Sequence, residues 1–225
     1  MILNNIDIEV CRKNIKHIHL SVYPPFGKVH VSAPIDTTDE QIKMFTLSRW
    51  MWISQKREEA QNHNIQPERR YLSGESHYYK GHRYRLKVNL DKNIAQKVYT
   101  KGEFINVDAY RHENVSDLMA SWYREQLRII LEPIIIKWEE LLNVHCESWE
   151  VKAMDKRWGS CSHAKKKIIF NTELCKKPLN CIEYVVLHEL LHLIERTHTE
   201  RFYRLLESYM PQWESVKKLL NELPV

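Results

Sequence analysis

An α+β fold is predicted for this chain of 225 residues, with a strand-rich N-terminal region followed by a helical region that holds a short sheet. Three observations predict it. The first third alternates apolar and polar residues in short runs bounded by Pro and Gly, a strand pattern. From Ser116 the apolar period becomes that of a long helix. A second strongly apolar helix then follows Pro178, within YVVLHELLHLIERTHTERF at 184–202.

In chain order, Lys16–Val22 and Lys28–Ser32 read as a hairpin around Pro24-Pro25-Phe26-Gly27. Thr37-Thr38-Asp39-Glu40 offers a capping box for a helix through Ile42, Phe45, Trp50 and Ile53 to Glu59. His77–Leu90, Ala95–Tyr99 and Glu103–Val107 are further strands, with turns at Lys80-Gly81 and Lys101-Gly102. Ser116–Leu142 is one long amphipathic helix that Pro133 is expected to kink. Glu147–Ala153 and Lys167–Asn171 are short strands. Pro178 and Asn180, with Glu183, are expected to start the histidine-bearing helix, and a last helix runs from Thr199 to before Pro211. The expected organisation is a strand-rich region at 1–112 and a helical region at 113–225, either separate or together in one domain.

Composition narrows the function. Hydrophobic residues make up 43% and charged residues 28% of the chain, as in ordinary globular proteins. No apolar run reaches the ~18 residues of a membrane span. The start, MILNNIDIEVCRKNIK, lacks a signal-peptide pattern, so a cytoplasmic protein is expected. Five scattered cysteines with no C-x-x-C pair agree with a reducing compartment. A net charge of +5 permits acidic or nucleic-acid partners without requiring them.

The chemistry concentrates on the helix after Pro178. His188 and His192, four residues apart, lie about 40° apart on one helix face and can reach one metal ion. Glu189 is about 100° round from His188, beside that metal, placed to handle a water molecule rather than to bind the ion. The other faces are apolar, so three polar side chains there are costly to bury without a partner. His198 is the third candidate ligand. On an unbroken helix it would point about 240° away from His192, so the helix must end near Arg196 and the chain turn back. Thr199 suits the N-cap of a new helix. The alternative is a set of ordinary histidines satisfied in the core and at the surface.

Taken together, RWGSCS at 157–162, KIIFN at 167–171, Leu174, Pro178, IEYVVLHELLHL at 182–193, His198 and Phe202 resemble the YgjP-like metallopeptidase family. That family is similar to the SprT and WLM zinc metalloproteases. The upstream order RWMWISQK, YYKGHRYRLKV and Trp122-Tyr123-Arg124 is similar too, so the resemblance covers nearly the whole chain. It implies a zincin-like C-terminal region, a Zn²⁺ cofactor held by His188, His192 and His198, and Glu189 as catalytic base. It also implies a peptide or protein substrate, and relatives that act on DNA-attached proteins suggest DNA proximity. The family usually carries Asn-His-Ser at the third ligand, where this chain has Thr197-His198-Thr199, so the turn is expected to be built differently.

Around this centre, Arg157 and Tyr203 are candidate oxyanion or substrate contacts, with an ion pair and helix packing as the bland alternatives. The KIIFN strand ending at Asn171 is a candidate for pairing with an extended substrate. Competing functions are a zinc-dependent nucleotide pyrophosphatase or other small-molecule hydrolase, and a DNA-associated binding module built on His82, Arg83, Arg85 and Lys87 among Tyr78, Tyr79 and Tyr84. A papain-like use of Cys161 in Gly159-Ser160-Cys161 lacks the required downstream length, and Cys161 is expected to be a packed small residue.

Overall fold

The computed structural model describes residues 1–4, 6–23, 27–62, 69–155 and 157–223, with backbone alone at 59–62. Two units, Met1–Arg69 and Arg70–Val225, each enclose a hydrophobic core of their own. The division falls after Arg69, not after residue 112, because the strands between 76 and 109 share their core with the long helix that follows.

The first unit holds β1 (Ile2–Leu3), β2 (Ile6–Lys13), β3 (His19–Tyr23) and β4 (Lys28–Pro34) in the order β1-β2-β4-β3. The expected hairpin is present: β3 and β4 are antiparallel with Val22 opposite Val29. Its turn at Pro24-Pro25-Phe26 lies outside the described residues. β2, parallel to β4, was not expected; IDIEVCRK alternates only at its start, and one of its residues is buried. The expected single helix divides at Arg49 into α1 (Asp39–Ser48) and α2 (Trp50–Asn62). Thr38 is the N-cap, and its box partner is Gln41: the Gln41 N–H donates to Thr38 Oγ1 and the Thr38 N–H to Gln41 Oε1. Ile42 and Ile53 bury their side chains with Ile8, Val29 and Val31.

The second unit begins with β5 (Ser76–Tyr79), β6 (His82–Leu90), β7 (Lys97–Lys101) and β8 (Phe104–Ala109), ordered β5-β6-β8-β7. Leu86, Ile105 and Val107 form its inner face. They pack with α3 (Val115–Leu142), which buries Met119, Tyr123, Leu127, Leu131, Ile135 and Trp138 along one side. α3 continues as helix through Pro133 and closes on Asn143 in a left-handed cap at φ 51°. A second sheet follows: β9 (Ser148–Lys152), β10 (Gly159–Ser162) and β11 (Lys167–Asn171), in the order β10-β11-β9. β11 is therefore central, antiparallel to β10 and parallel to β9.

The last three helices are α4 (Leu179–Leu191), α5 (Glu200–Tyr209) and α6 (Trp213–Glu222), of which α6 was not expected. α4 starts on Pro178 without the expected Asn180–Glu183 cap. Glu183 instead accepts from Lys137 Nζ at 2.6 Å and Trp138 Nε1 at 3.1 Å, which ties α4 to α3. Lys177, buried just before α4, donates to the carbonyls of Leu220 and Leu223 and lies 4.7 Å over the Trp158 ring. Burial pulls its amine down to about 8, and these contacts hold the C-terminal end of α6.

The β5–β6 turn locks the entry to α4. Lys80 and Gly81 both have positive φ, and their N–H groups donate to Cys175 and Lys176 carbonyls at 2.9 and 3.0 Å. A Cβ on Gly81 would lie 2.7 Å from Pro178 Cγ. Gly81→Ala should therefore destabilise the second unit by about 2 kcal/mol or more, from left-handed strain plus the collision. Denaturant unfolding measures this; an unchanged midpoint would show that the turn does not brace α4.

Candidate metal centre

α4 is apolar because Ile182, Val185, Val186, Leu187, Leu190 and Leu191 are all buried in the core. Its last turn carries His188 and Glu189, and His192 is its C-cap at φ −66°, ψ −13°. The Leu193, Ile194 and Glu195 N–H groups then donate back to Leu190 and Leu191 carbonyls, closing the helix. The break required by His198 is thus present, and it comes earlier than Arg196. A new helix starts at Thr199, whose Oγ1 accepts from the Phe202 N–H at 3.3 Å. Residues 192–199 all keep negative φ, so Thr197-His198-Thr199 makes the turn without the left-handed geometry that favours Asn.

This turn brings the three histidines together. One ligand nitrogen from each of His188, His192 and His198 lies within 4.8 Å of the others, and His188 Nε2 faces His198 Nε2 at 3.0 Å. Nitrogens about 2.05 Å from one tetrahedral ion stand about 3.3 Å apart, so the cluster is near the spacing of a shared ligand set. His192 Nδ1 is held by the Glu195 carbonyl at 3.2 Å, which orients the ring. Phe202, fully buried, packs 4.9–5.0 Å from all three ring centroids and forms their floor. Burial, then the two neighbouring imidazoles, pulls His188 down to about 3; burial lowers His192 as well. Neutral imidazole is the ligating form. His188 Nδ1 is buried without a partner among the described residues. The donor set fits a borderline divalent cation such as zinc.

Glu189 is 6% exposed, and burial pushes its carboxyl up to about 8, against the pull of Arg157. It packs on the β10 backbone: a Cβ on Gly159 would lie 2.7 Å from both Glu189 Cγ and Oε1. The histidines, Glu189, Arg157 and Tyr203 line one cavity of about 600 Å³. Tyr203 stacks between His198, at 6.1 Å, and Trp213, at 5.5 Å. Asn171 does not line it. Its amide donates to Met154 and Arg157 carbonyls at 2.8 and 2.9 Å while its Oδ1 accepts from the Glu173 N–H, so it holds the segment that carries Arg157. Cys161 lines the cavity, but burial first and Glu189 second push its thiol up to about 11, the opposite of an activated nucleophile.

Several lining residues were not expected. Gly159 was not among the expected site residues, although glycine is scarce in this chain, with five in 225 residues. Arg196 and Lys217 gave no signal, since the turn after α4 and the position of α6 are tertiary outcomes.

An apolar helix bearing His-Glu-x-x-His, a third histidine from the turn behind it and a strand beside the carboxylate form a group that could hold a metal ion next to a buried carboxylate. The chain matches the family described as "YgjP-like, metallopeptidase domain" over residues 16–223, and it belongs to that family. It is thus a peptidase-type hydrolase, acting on peptides or proteins. Similar solved structures include the abylysin zymogen of Pyrococcus abyssi, at 17% identity and TM-score 0.38, covering 41% of this chain and 93% of that one. The jannalysin zymogen of Methanocaldococcus jannaschii is 22% identical with TM-score 0.38, covering 41% and 89%. No curated protein matches the sequence.

Substituting any of His188, His192 or His198 by Ala should weaken divalent-metal binding by at least about tenfold, whereas the exposed His145→Ala should not. Metal content after dialysis against a weak chelator measures this. Wild-type affinity in His198→Ala would remove it from the ligand set.

Proposed function

We propose that this chain is a zinc-dependent metallopeptidase with His188, His192 and His198 as ligands and Glu189 as general base. The observation that carries this is the convergence of three imidazoles beside one buried carboxylate in a single cavity. When bound, zinc supplies Lewis acidity to the reacting carbonyl and water. Glu189 takes the proton of the attacking water and returns it to the leaving amine. Its position is set by the β10 backbone at Gly159, so little rearrangement is needed at the reacting atoms. Arg157, near enough to Glu189 to act on its charge, and the Tyr203 hydroxyl are the candidate donors to the developing oxyanion.

Substrate pairing falls on β10, not on the KIIFN strand. β11 is hydrogen-bonded on both sides, whereas β10 is the sheet edge and its Gly159, Ser160 and Cys161 line the cavity. An extended peptide adding to that edge passes beside Glu189. Five free cysteines, three of them buried, support a reducing, cytoplasmic setting.

A second function is favoured by one observation: Arg157, Arg196 and Lys217 line the cavity and suit the phosphates of a nucleotide pyrophosphate. The DNA-associated module is less supported, because Tyr79 is buried and Tyr84 packs against the core, leaving Arg83, Arg85 and Lys87 as the exposed cations of that hairpin. Parallel assays with casein and nucleoside triphosphates separate the two hydrolases.

Glu189→Gln should retain zinc and the fold but lose at least about 100-fold in kcat. Wild-type turnover in that variant would mean another group activates the water. Gly159→Ala should keep zinc as well, yet lower kcat by about tenfold or more, because the new methyl group collides with the Glu189 carboxylate.

A further inference from the structure

The cavity is lopsided in charge. Arg157, Arg196 and Lys217 line it against one carboxylate, that of Glu189. The cations come from three separate segments: the loop before β10, the turn after α4, and α6. All three are exposed, and among the described residues none has an ion pair or side-chain hydrogen bond; Lys217 lies 5.6 Å over the Trp213 ring. Lys218, the neighbour of Lys217 on α6 that does not line the cavity, pairs with Glu222 at 3.8 Å. Arg157 acts electrostatically on Glu189, and Lys217 on His188.

Glu189 is one buried carboxylate against three cations. The three imidazoles bring no negative charge, and a bound dication adds to the positive field. A basic group entering the cavity meets repulsion from several sides, and an apolar one leaves the cations without a counter-charge. A carboxylate is complementary to all three.

We propose that this cavity selects peptides carrying a carboxylate close to the scissile bond, with Arg157, Arg196 and Lys217 as the specificity-determining residues. This deepens the peptidase function proposed above and rests on it. The carboxylate comes either from an Asp or Glu side chain or from the C-terminus of the substrate, and the two sources are distinguishable by blocking the terminus.

The test uses zinc-loaded protein and blocked hexapeptides identical except for Glu, Gln or Lys beside the central bond, plus a Gln peptide with a free C-terminal carboxylate. Binding is read by calorimetry on Glu189→Gln, and cleavage on the wild type. The Glu peptide should bind about tenfold or more tighter than the Gln peptide, and the Lys peptide more weakly than either. The preference should shrink as salt is raised. Lys217→Glu and Arg196→Glu should each cut the Glu-over-Gln ratio several-fold and favour the Lys peptide, with zinc content unchanged. A variant damaged only in its fold would lose all peptides together and leave the ratio intact. A free-carboxylate peptide that outbinds the Glu peptide would assign the subsite to the substrate terminus. Equal binding of Glu and Gln peptides overturns the proposal, as does tighter binding of a nucleoside triphosphate than of any acidic peptide. Retained Glu preference without cleavage by the wild type would leave the anionic subsite standing and refute the peptidase chemistry instead.

Discussion

The desolvation of ionisable groups at the end of α4 is the constraint to which the second unit is built. Glu189 and His188 sit on a helix whose remaining faces are core, and a charged form of either is penalised by burial. The surroundings answer each in a different way. His188 is kept neutral and turned toward two further imidazoles, so that a cation can repay its burial. Glu189 is pressed on a glycine backbone and left one cation, Arg157, as counter-charge. Phe202 packs against all three rings and Tyr203 stacks on His198, which makes α5 part of the site.

The same demand explains the tethering of distant segments. Asn171, at the end of the central strand, spends its amide on the Met154–Arg157 segment and so positions the lead-in to β10. Lys177 binds the carbonyl end of α6, and Trp158 Nε1 donates to Asn221 Oδ1 at 3.2 Å. α6 is thereby joined to both the entry of α4 and the strand beside Glu189. These contacts surround the cavity with elements that share one core, so a shift in any of them is felt at the carboxylate. The route from a small packing change to a change in chemistry is short here.

Much of the site was legible locally. Histidines four apart share a helix face by geometry alone, and Thr199 carries its N-cap chemistry in its own hydroxyl, so the helix break and the third histidine could be inferred before any contact was known. The α+β class followed from a change of period at Ser116, and the β5–β6 turn from Lys80-Gly81. The misreadings share a cause. Glu183 has the spacing of a cap but bonds to Lys137 and Trp138 across the core, KIIFN has the look of an exposed substrate strand but is central in its sheet, and the division after residue 112 cuts through one core. Each is a choice between partners that sequence presents as equal.

By itself, then, the sequence determined what is governed by periodicity and side-chain chemistry within a few residues: the long helix α3, the histidine-bearing helix α4, and the spacing of His188, Glu189 and His192 along it. Only the tertiary structure decided which strand became the edge, that Gly159 rather than any other residue receives Glu189, and that cations from three distant segments face one cavity. The physical reason is that strand order, close approach and charge convergence depend on long-range packing of the whole core, whereas a helix face and a cap are set by neighbours along the chain.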